Sequence, residues 1–197
     1  MIMVLNDTPS ERPPIRLSRE GGFLIVDCET TGLEDTARII QLGIVALDPQ
    51  GNFEWKFNSL VRGDGSPGSP EAQSVHKISA DDLVNAPTFS EVIAPYLQQL
   101  RSRIVFAHHS IFDRGKVNYE LDLIDESPLP YFGCTKNLGE FLGYGRMRLQ
   151  EGAKYFAVDA GRAHDAGDDA STAASILQIF IKKHPDKFAE YLATIGN

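Results

Sequence analysis

The sequence predicts an α/β domain built on a mixed five-stranded sheet with helices on both sides. Three observations carry that expectation. Three extended segments follow one another without an intervening helix, two further strand-like segments alternate with helical ones, and the conspicuous acids fall at strand ends and helix starts. With 197 residues and 42% hydrophobic composition, the chain is long enough for one domain with a sizeable core.

Residues 1–20 are polar, carry Thr8-Pro9 and Pro13-Pro14 and show no period, so they read as an N-terminal arm; the folded domain is expected over 21–197. The first strand, 23–29, is the apolar run Phe23-Leu24-Ile25-Val26 closed by Asp27, Cys28 and Glu29 and a Gly32 turn. The second, 38–47, and third, 53–61, are joined by the tight turn Asp48-Pro49-Gln50-Gly51-Asn52. Residues 63–70 are rich in Gly, Ser and Pro and read as a flexible loop. Helices are expected at 79–84 and at 88–101, the latter opened by a capping box between Thr88 and Glu91. Residues 103–107 form a buried fourth strand, followed by a helix over 111–122, a short strand near 131–134 and helices at 135–142 and 147–157. The last strong helix spans 166–183, with Ala170, Ala173, Ala174, Ile176, Leu177 and Phe180 on one periodic face and Pro185 past its end.

The formal charge of −8 argues against a protein that coats nucleic acid through a broad basic field. It leaves room for an enzyme that grips a few terminal nucleotides and lets metal ions neutralise the phosphates. No stretch reaches the roughly 18 unbroken apolar residues of a membrane span, and the N-terminus lacks the apolar core of a signal peptide, which points to the cytoplasm. Cys28 and Cys134 are too few for a disulfide framework or zinc cluster and read as buried thiols.

Asp27 and Glu29 are two apart on a strand, so they point the same way. Two carboxylates on one face repel unless a cation lies between them. Asp113 stands at the start of a helix that follows a buried strand. Asp169 lies in the first turn of the last strong helix, where the helix dipole favours negative charge, and His164 precedes it by five residues. Taken singly, each has an ordinary explanation: surface acids, helix caps, a loop histidine. Taken together they suit phosphodiester hydrolysis by two Mg²⁺ or Mn²⁺ ions about 3.5–4 Å apart. In that reading Asp27 bridges both ions, Glu29 and Asp169 complete one, and Asp113 supports the other through water. His164 takes a proton from the attacking water, a task that an imidazole, with its usual pKa of about 6.5, can perform at neutral pH.

The segments Val26 to Gly32, Ala107 to Asp113 and His164 to Ala170 resemble the three exonuclease motifs of the DEDDh, or DnaQ-like, 3′→5′ exonucleases. Val75-His76-Lys77-Ile78-Ser79 resembles the family's segment between the first two, and the resemblance spans about residues 22–182. It implies a ribonuclease H-like fold, two divalent cations, release of 5′-mononucleotides from a free 3′ end, and His164 as general base. It places Thr30, Thr31 and His76 at the terminal nucleotide. Three positions depart from the family pattern: His109 where Asn is common, Gln41 where an acid is common, and Lys116 where a large apolar residue usually stands.

Arg114, Lys116, Lys136, Arg146, Arg148, Lys154 and Arg162 precede His164 and are either a solvated face or a path for upstream phosphates. Tyr144 or Phe156 could stack bases there or belong to the core, and Trp55 reads as packing. The expected function is 3′→5′ removal of nucleotides from single-stranded or frayed DNA. The alternatives are an exoribonuclease of the ribonuclease T or oligoribonuclease type, and a noncatalytic nucleic-acid-binding or polymerase-docking module. Clustered acids that destabilise an empty site weigh against the last. With about 15 residues after the main C-terminal helix, a stand-alone enzyme is expected over a tethered polymerase subunit.

Overall fold

The computed structural model describes residues 21–195; the expected N-terminal arm lies outside the described residues. In chain order the elements are β1 (Phe23–Thr30), β2 (Ile39–Leu47), β3 (Phe53–Leu60), α1 (Pro70–His76), α2 (Ala80–Leu83), α3 (Phe89–Ile93), α4 (Leu97–Ser102), β4 (Ile104–Ala107), α5 (Ser110–Asp122), β5 (Gly133–Cys134), α6 (Thr135–Phe141), α7 (Leu149–Phe156), α8 (Ala166–Lys183) and α9 (Pro185–Thr194). The strands form one sheet in the order β3-β2-β1-β4-β5. The meander β1-β2-β3 is antiparallel, whereas β4 pairs in parallel with both β1 and β5.

Strand alternation sorts the core into two layers. Leu24, Val26 and Cys28 of β1 pack with Val105 of β4 against Phe89, Val92, Leu100, Val117 and Leu121 of α3, α4 and α5. Phe23 and Ile25 face the other way and pack with Phe106 against Leu138, Ala173, Leu177, Phe180 and Phe188 of α6, α8 and α9. The predicted mixed sheet with helices on both sides is therefore present. Pairing between β1 and β4 covers only Phe23 to Ile25, so β1 runs on past the end of β4 toward Thr30. A crevice opens there, at the carboxyl ends of two parallel strands, where α/β sheets commonly place ligands.

Several elements differ from expectation, each for a local reason. The helix expected over 88–101 is two, α3 and α4. Pro95 supplies no backbone N–H, and Tyr96 acts as the second N-cap. The loop expected over 63–70 gives way at Pro70 to α1, whose N-cap Ser69 accepts the Ala72 N–H at 3.2 Å with Pro at the first helical position. Pro185 does not merely follow the last helix; it begins α9, which buries Phe188 and Tyr191 against α8 and β5. The stretch after the main C-terminal helix is thus part of the core. Among the described residues no helix is long and apolar enough to cross a membrane.

Candidate active site

Asp27 and Glu29 lie on the α8 side of β1, in step with Phe23 and Ile25. Asp27 stands opposite Gly43 of β2. A Cβ on Gly43 would lie 2.1 Å from the Ala166 carbonyl, so glycine is what lets the first turn of α8 come down onto the sheet. That approach brings Asp169 over the two β1 acids. From the other side α5 follows directly on β4 and sets Asp113, 4% exposed, at the same strand ends.

The four carboxylates feel one another. Burial pushes the Asp27 carboxyl well above the usual range, and Asp113, Asp169 and Glu29 add repulsion in that order. Glu29 is raised to about 7 by burial and by Asp169 and Asp113. Burial also raises Asp113 to about 7, against the Cys28 thiol that donates to its Oδ1 at 3.5 Å. Asp169 is raised by burial, against the His164 backbone N–H that donates to its Oδ2 at 3.1 Å. Its Oδ1 accepts from the Gln150 side-chain amide at 3.3 Å.

His164 is exposed and adopts φ +60, a left-handed conformation that is uncommon for a residue with a Cβ. Its ring lies near the acids: ligand atoms of Glu29, His164 and Asp169 lie within 4.8 Å of one another. The segment bearing it is fastened to α8, since Arg162 N–H donates to Asp168 at 2.8 Å and the Arg162 guanidinium pairs with Asp165.

Asp165 is the N-cap of α8. Its Oδ1 accepts from Asn58 at 3.1 Å and from the backbone N–H groups of Gly167 and Asp168, while Oδ2 accepts from Gln41 at 3.0 Å and from Arg162. Burial raises its pKa, but these bonds outweigh it and hold the carboxyl below its ordinary value. The amide at Gln41 therefore matches this chain's own Asp165: a carboxylate at 41 would face another at hydrogen-bond distance.

Beside the acids opens a cavity of about 870 Å³, lined by Glu29, Thr30, Thr31, Leu33, His76 and Phe112 among others. Thr31 is tied on three sides. Its hydroxyl accepts from Arg38 N–H at 2.9 Å, its own N–H donates to Arg38 at 3.0 Å, and its carbonyl accepts from Ser69 N–H at 3.3 Å. A Cβ on Gly68, at φ +87, would lie 1.9 Å from the Thr31 carbonyl, so only glycine allows the 61–69 loop this close. His76 is 7% exposed; its Nδ1 accepts the Ile78 N–H at 3.0 Å, which leaves the proton of the neutral ring on a buried Nε2. Burial lowers its pKa and favours that neutral form.

Of the basic and aromatic residues noted in the sequence, several belong to the fold. Lys116 is 3% exposed and donates to the Leu33 and Glu34 carbonyls, so it is unavailable to phosphates. Arg114 donates to the Pro130 carbonyl, and Arg146 lies 3.4 Å from Glu140. Tyr144 stacks on Phe180, meets Phe156 edge-on and bonds His184. Trp55 packs on Tyr96. Two site contributors carried no distinctive sequence signal: Gln150 on Asp169 and Asn58 on Asp165. Cys28 and Phe112, by contrast, sit beside Asp27 and Asp113 within two of the three motifs.

Hard oxygen donors that repel one another when empty suit Mg²⁺ or Mn²⁺. The fold and acid cluster are those of a metal-assisted phosphodiesterase. The chain belongs to the exonuclease family, whose model matches residues 24–177, and within it to the DnaQ-like 3′→5′ exonucleases. It is 30% identical over 168 residues to the DNA polymerase III subunit epsilon of Treponema pallidum, covering 82% of this chain and 77% of that protein. It is 26% identical to the PolC-type DNA polymerase III of Streptococcus pneumoniae, of which it spans only 12%. Among solved structures, exonuclease X in complex with 5′-overhanging duplex DNA superposes with a TM-score of 0.69 at 23% identity, over 86% of this chain and 99% of that one. Exonuclease I of E. coli in complex with a dA16 oligonucleotide gives 0.73 at 15% identity, over 85% and 42%. Both likenesses concern the fold.

Proposed function

We propose that this exonuclease removes nucleotides one at a time from the 3′ end of single-stranded or frayed DNA, using two divalent cations and His164 as general base. The observation that carries the reading is the convergence of Asp27, Glu29, Asp113 and Asp169, each raised in pKa, beside a nucleotide-sized cavity. Asp27, Glu29 and Asp169 would hold one ion, with Asp27 shared and Asp113 supporting the second. Bound Mg²⁺ or Mn²⁺ supplies the positive charge that the phosphate and its leaving oxygen need.

The protein's own groups do the rest. Thr30, bonded to the Gly32 carbonyl, and Thr31, held by Arg38 and Ser69, form the floor on which the terminal nucleotide rests. His76 lines the cavity wall with its neutral ring, held in place by the Ile78 N–H. Cys28 and Gln150 keep the carboxylates of Asp113 and Asp169 in place. His164 takes the proton of the attacking water as the new P–O bond forms, and the upstream strand leaves with its 3′ oxygen. The relationship to bacterial replication subunits supports DNA as substrate and the cytoplasm as location.

Matched DNA and RNA oligonucleotides, labelled at the 5′ end and digested with Mg²⁺, Mn²⁺ or EDTA, test the reading. The expected result is a ladder from the 3′ end on DNA with either metal and none in EDTA. Faster digestion of RNA would assign an exoribonuclease, and cleavage of circular single-stranded DNA an endonuclease.

A further inference from the structure

Two recesses meet at the segment between β1 and β2. One is the cavity over the acids. The other, about 410 Å³, is lined by Leu33, Asp35, His109, Ile111, Phe112 and Lys116 among others. Leu33 and Phe112 line both recesses. Leu33 is 83% exposed and Ile111 73%, so an apolar ridge stands in water where the two recesses join.

This ridge is carried by a segment that has no regular pairing of its own. Residues 32–36 lie between the strands; locally the Glu34 carbonyl accepts the Ala37 N–H at 2.8 Å and the Gly32 carbonyl the Thr30 hydroxyl at 2.7 Å, and further partners come from outside the segment. α5 supplies them with two buried side chains one turn apart. Glu120, fully buried, accepts from the Arg38 guanidinium at 2.8 and 2.9 Å and from Ile39 N–H at 2.9 Å, which anchors the end of the segment. Lys116 reaches its middle, donating through Nζ to the carbonyls of Leu33 and Glu34, with the Phe112 ring 5.1 Å away. An apolar side chain at 116 would fill the space and leave both carbonyls without this donor. A buried amine is costly unless its donors are used. Here they are used on the backbone of the one exposed apolar residue that divides the recesses.

We infer that Lys116 is a positioning residue: by holding the Leu33 and Glu34 carbonyls it fixes the height and direction of Leu33, and so sets how firmly the enzyme grips the strand end. The inference rests on the exonuclease reading of the site. Lys116 touches none of the four carboxylates among its hydrogen bonds, and Thr31 keeps its own ties to Arg38 and Ser69. Loosening Leu33 should therefore weaken substrate binding and leave the chemical step alone.

The test is a double-mutant cycle of Lys116→Met and Leu33→Ala, read as KM and kcat on a short single-stranded DNA with Mg²⁺ and accompanied by melting curves. Each single change is expected to raise KM about tenfold with kcat within about twofold, the pattern of lost binding, and the double variant to be no worse than either alone. Additive effects on KM, or a fall in kcat with KM unchanged, would overturn the proposal. Lys116→Gln, which keeps one donor, is expected to fall between wild type and Lys116→Met. Should Met and Gln variants both fail to fold while Leu33→Ala folds, the lysine is a structural tie and the proposal is wrong. Inactivity of the wild-type protein on every nucleic acid would instead defeat the exonuclease reading, so the two failures are distinguishable.

Discussion

Gln41 shows how a single residue departs from a family habit without disturbing the chemistry. Its amide donates to Asp165 at 3.0 Å and its carbonyl accepts the Ala166 N–H at 3.3 Å, so it pins the first turn of α8 to β2. Gln41→Glu should cost about 1–3 kcal/mol at neutral pH, the penalty of a buried polar contact turned repulsive. The loss should shrink near pH 4, where the new carboxyl can hold a proton and donate. Urea unfolding at both pH values checks this, and an equal loss at each would contradict it. His164→Ala should lower turnover by about 10²–10⁴ with Mn²⁺ affinity nearly unchanged; because the ring lies within 4.8 Å of ligand atoms on Glu29 and Asp169, a joint collapse of affinity would make it a ligand. The acids and this histidine were legible in the sequence because chemistry restricts their type and spacing. Gln150 and Asn58 were not, since a hydrogen bond to a carboxylate can come from many residue types at many positions.

At the scale of elements, the strands were legible because apolar alternation and turn residues agree, and α8 because its apolar face repeats over about three turns. Prolines caused the errors, by acting in more than one way. Pro95 separates α3 from α4, whereas Pro70 and Pro185 each open a helix from its first turn. Nothing local distinguishes these uses without knowing what the following residues pack against. α9 is the clearest case: Phe188, fully buried, meets Phe23 and Phe106 of the sheet at ring distances of 5.4 and 6.2 Å. Phe188→Ala should therefore destabilise the protein by about 3–5 kcal/mol. A loss under 1 kcal/mol in denaturant unfolding would mean that α9 rests on the domain without completing its core.

For the whole molecule the central fact is a sheet that gathers four acids at one end, where burial and mutual repulsion act on them together. Burial pushes Glu29 and Asp113 up to about 7, and Asp27 and Asp169 are raised as well. The folded protein then binds more protons than the unfolded chain between the ordinary carboxyl range and pH 7, so its stability falls as pH rises through that window. Asp165, held below its ordinary value, gives up its contribution only at lower pH; burial lowers His76 and holds His108 down to about 4, which works against the trend up to the ordinary imidazole range, but these are two histidines against four raised acids. Metal-free protein should melt at a lower temperature at pH 7.5 than at pH 5.5, and Mg²⁺ should raise the melting temperature more at the higher pH. A melting temperature that rises with pH in EDTA would contradict the mutual repulsion. The most direct test is calorimetric titration of Mn²⁺ into the protein at pH 6.5, with 5′-thymidylate present, in two buffers of different ionisation enthalpy. The account predicts two ions per chain, protons released as they bind, and loss of at least one ion in Asp27→Ala. Binding that releases no protons, or a stoichiometry that Asp27→Ala leaves unchanged, would show that these carboxylates are not the metal site.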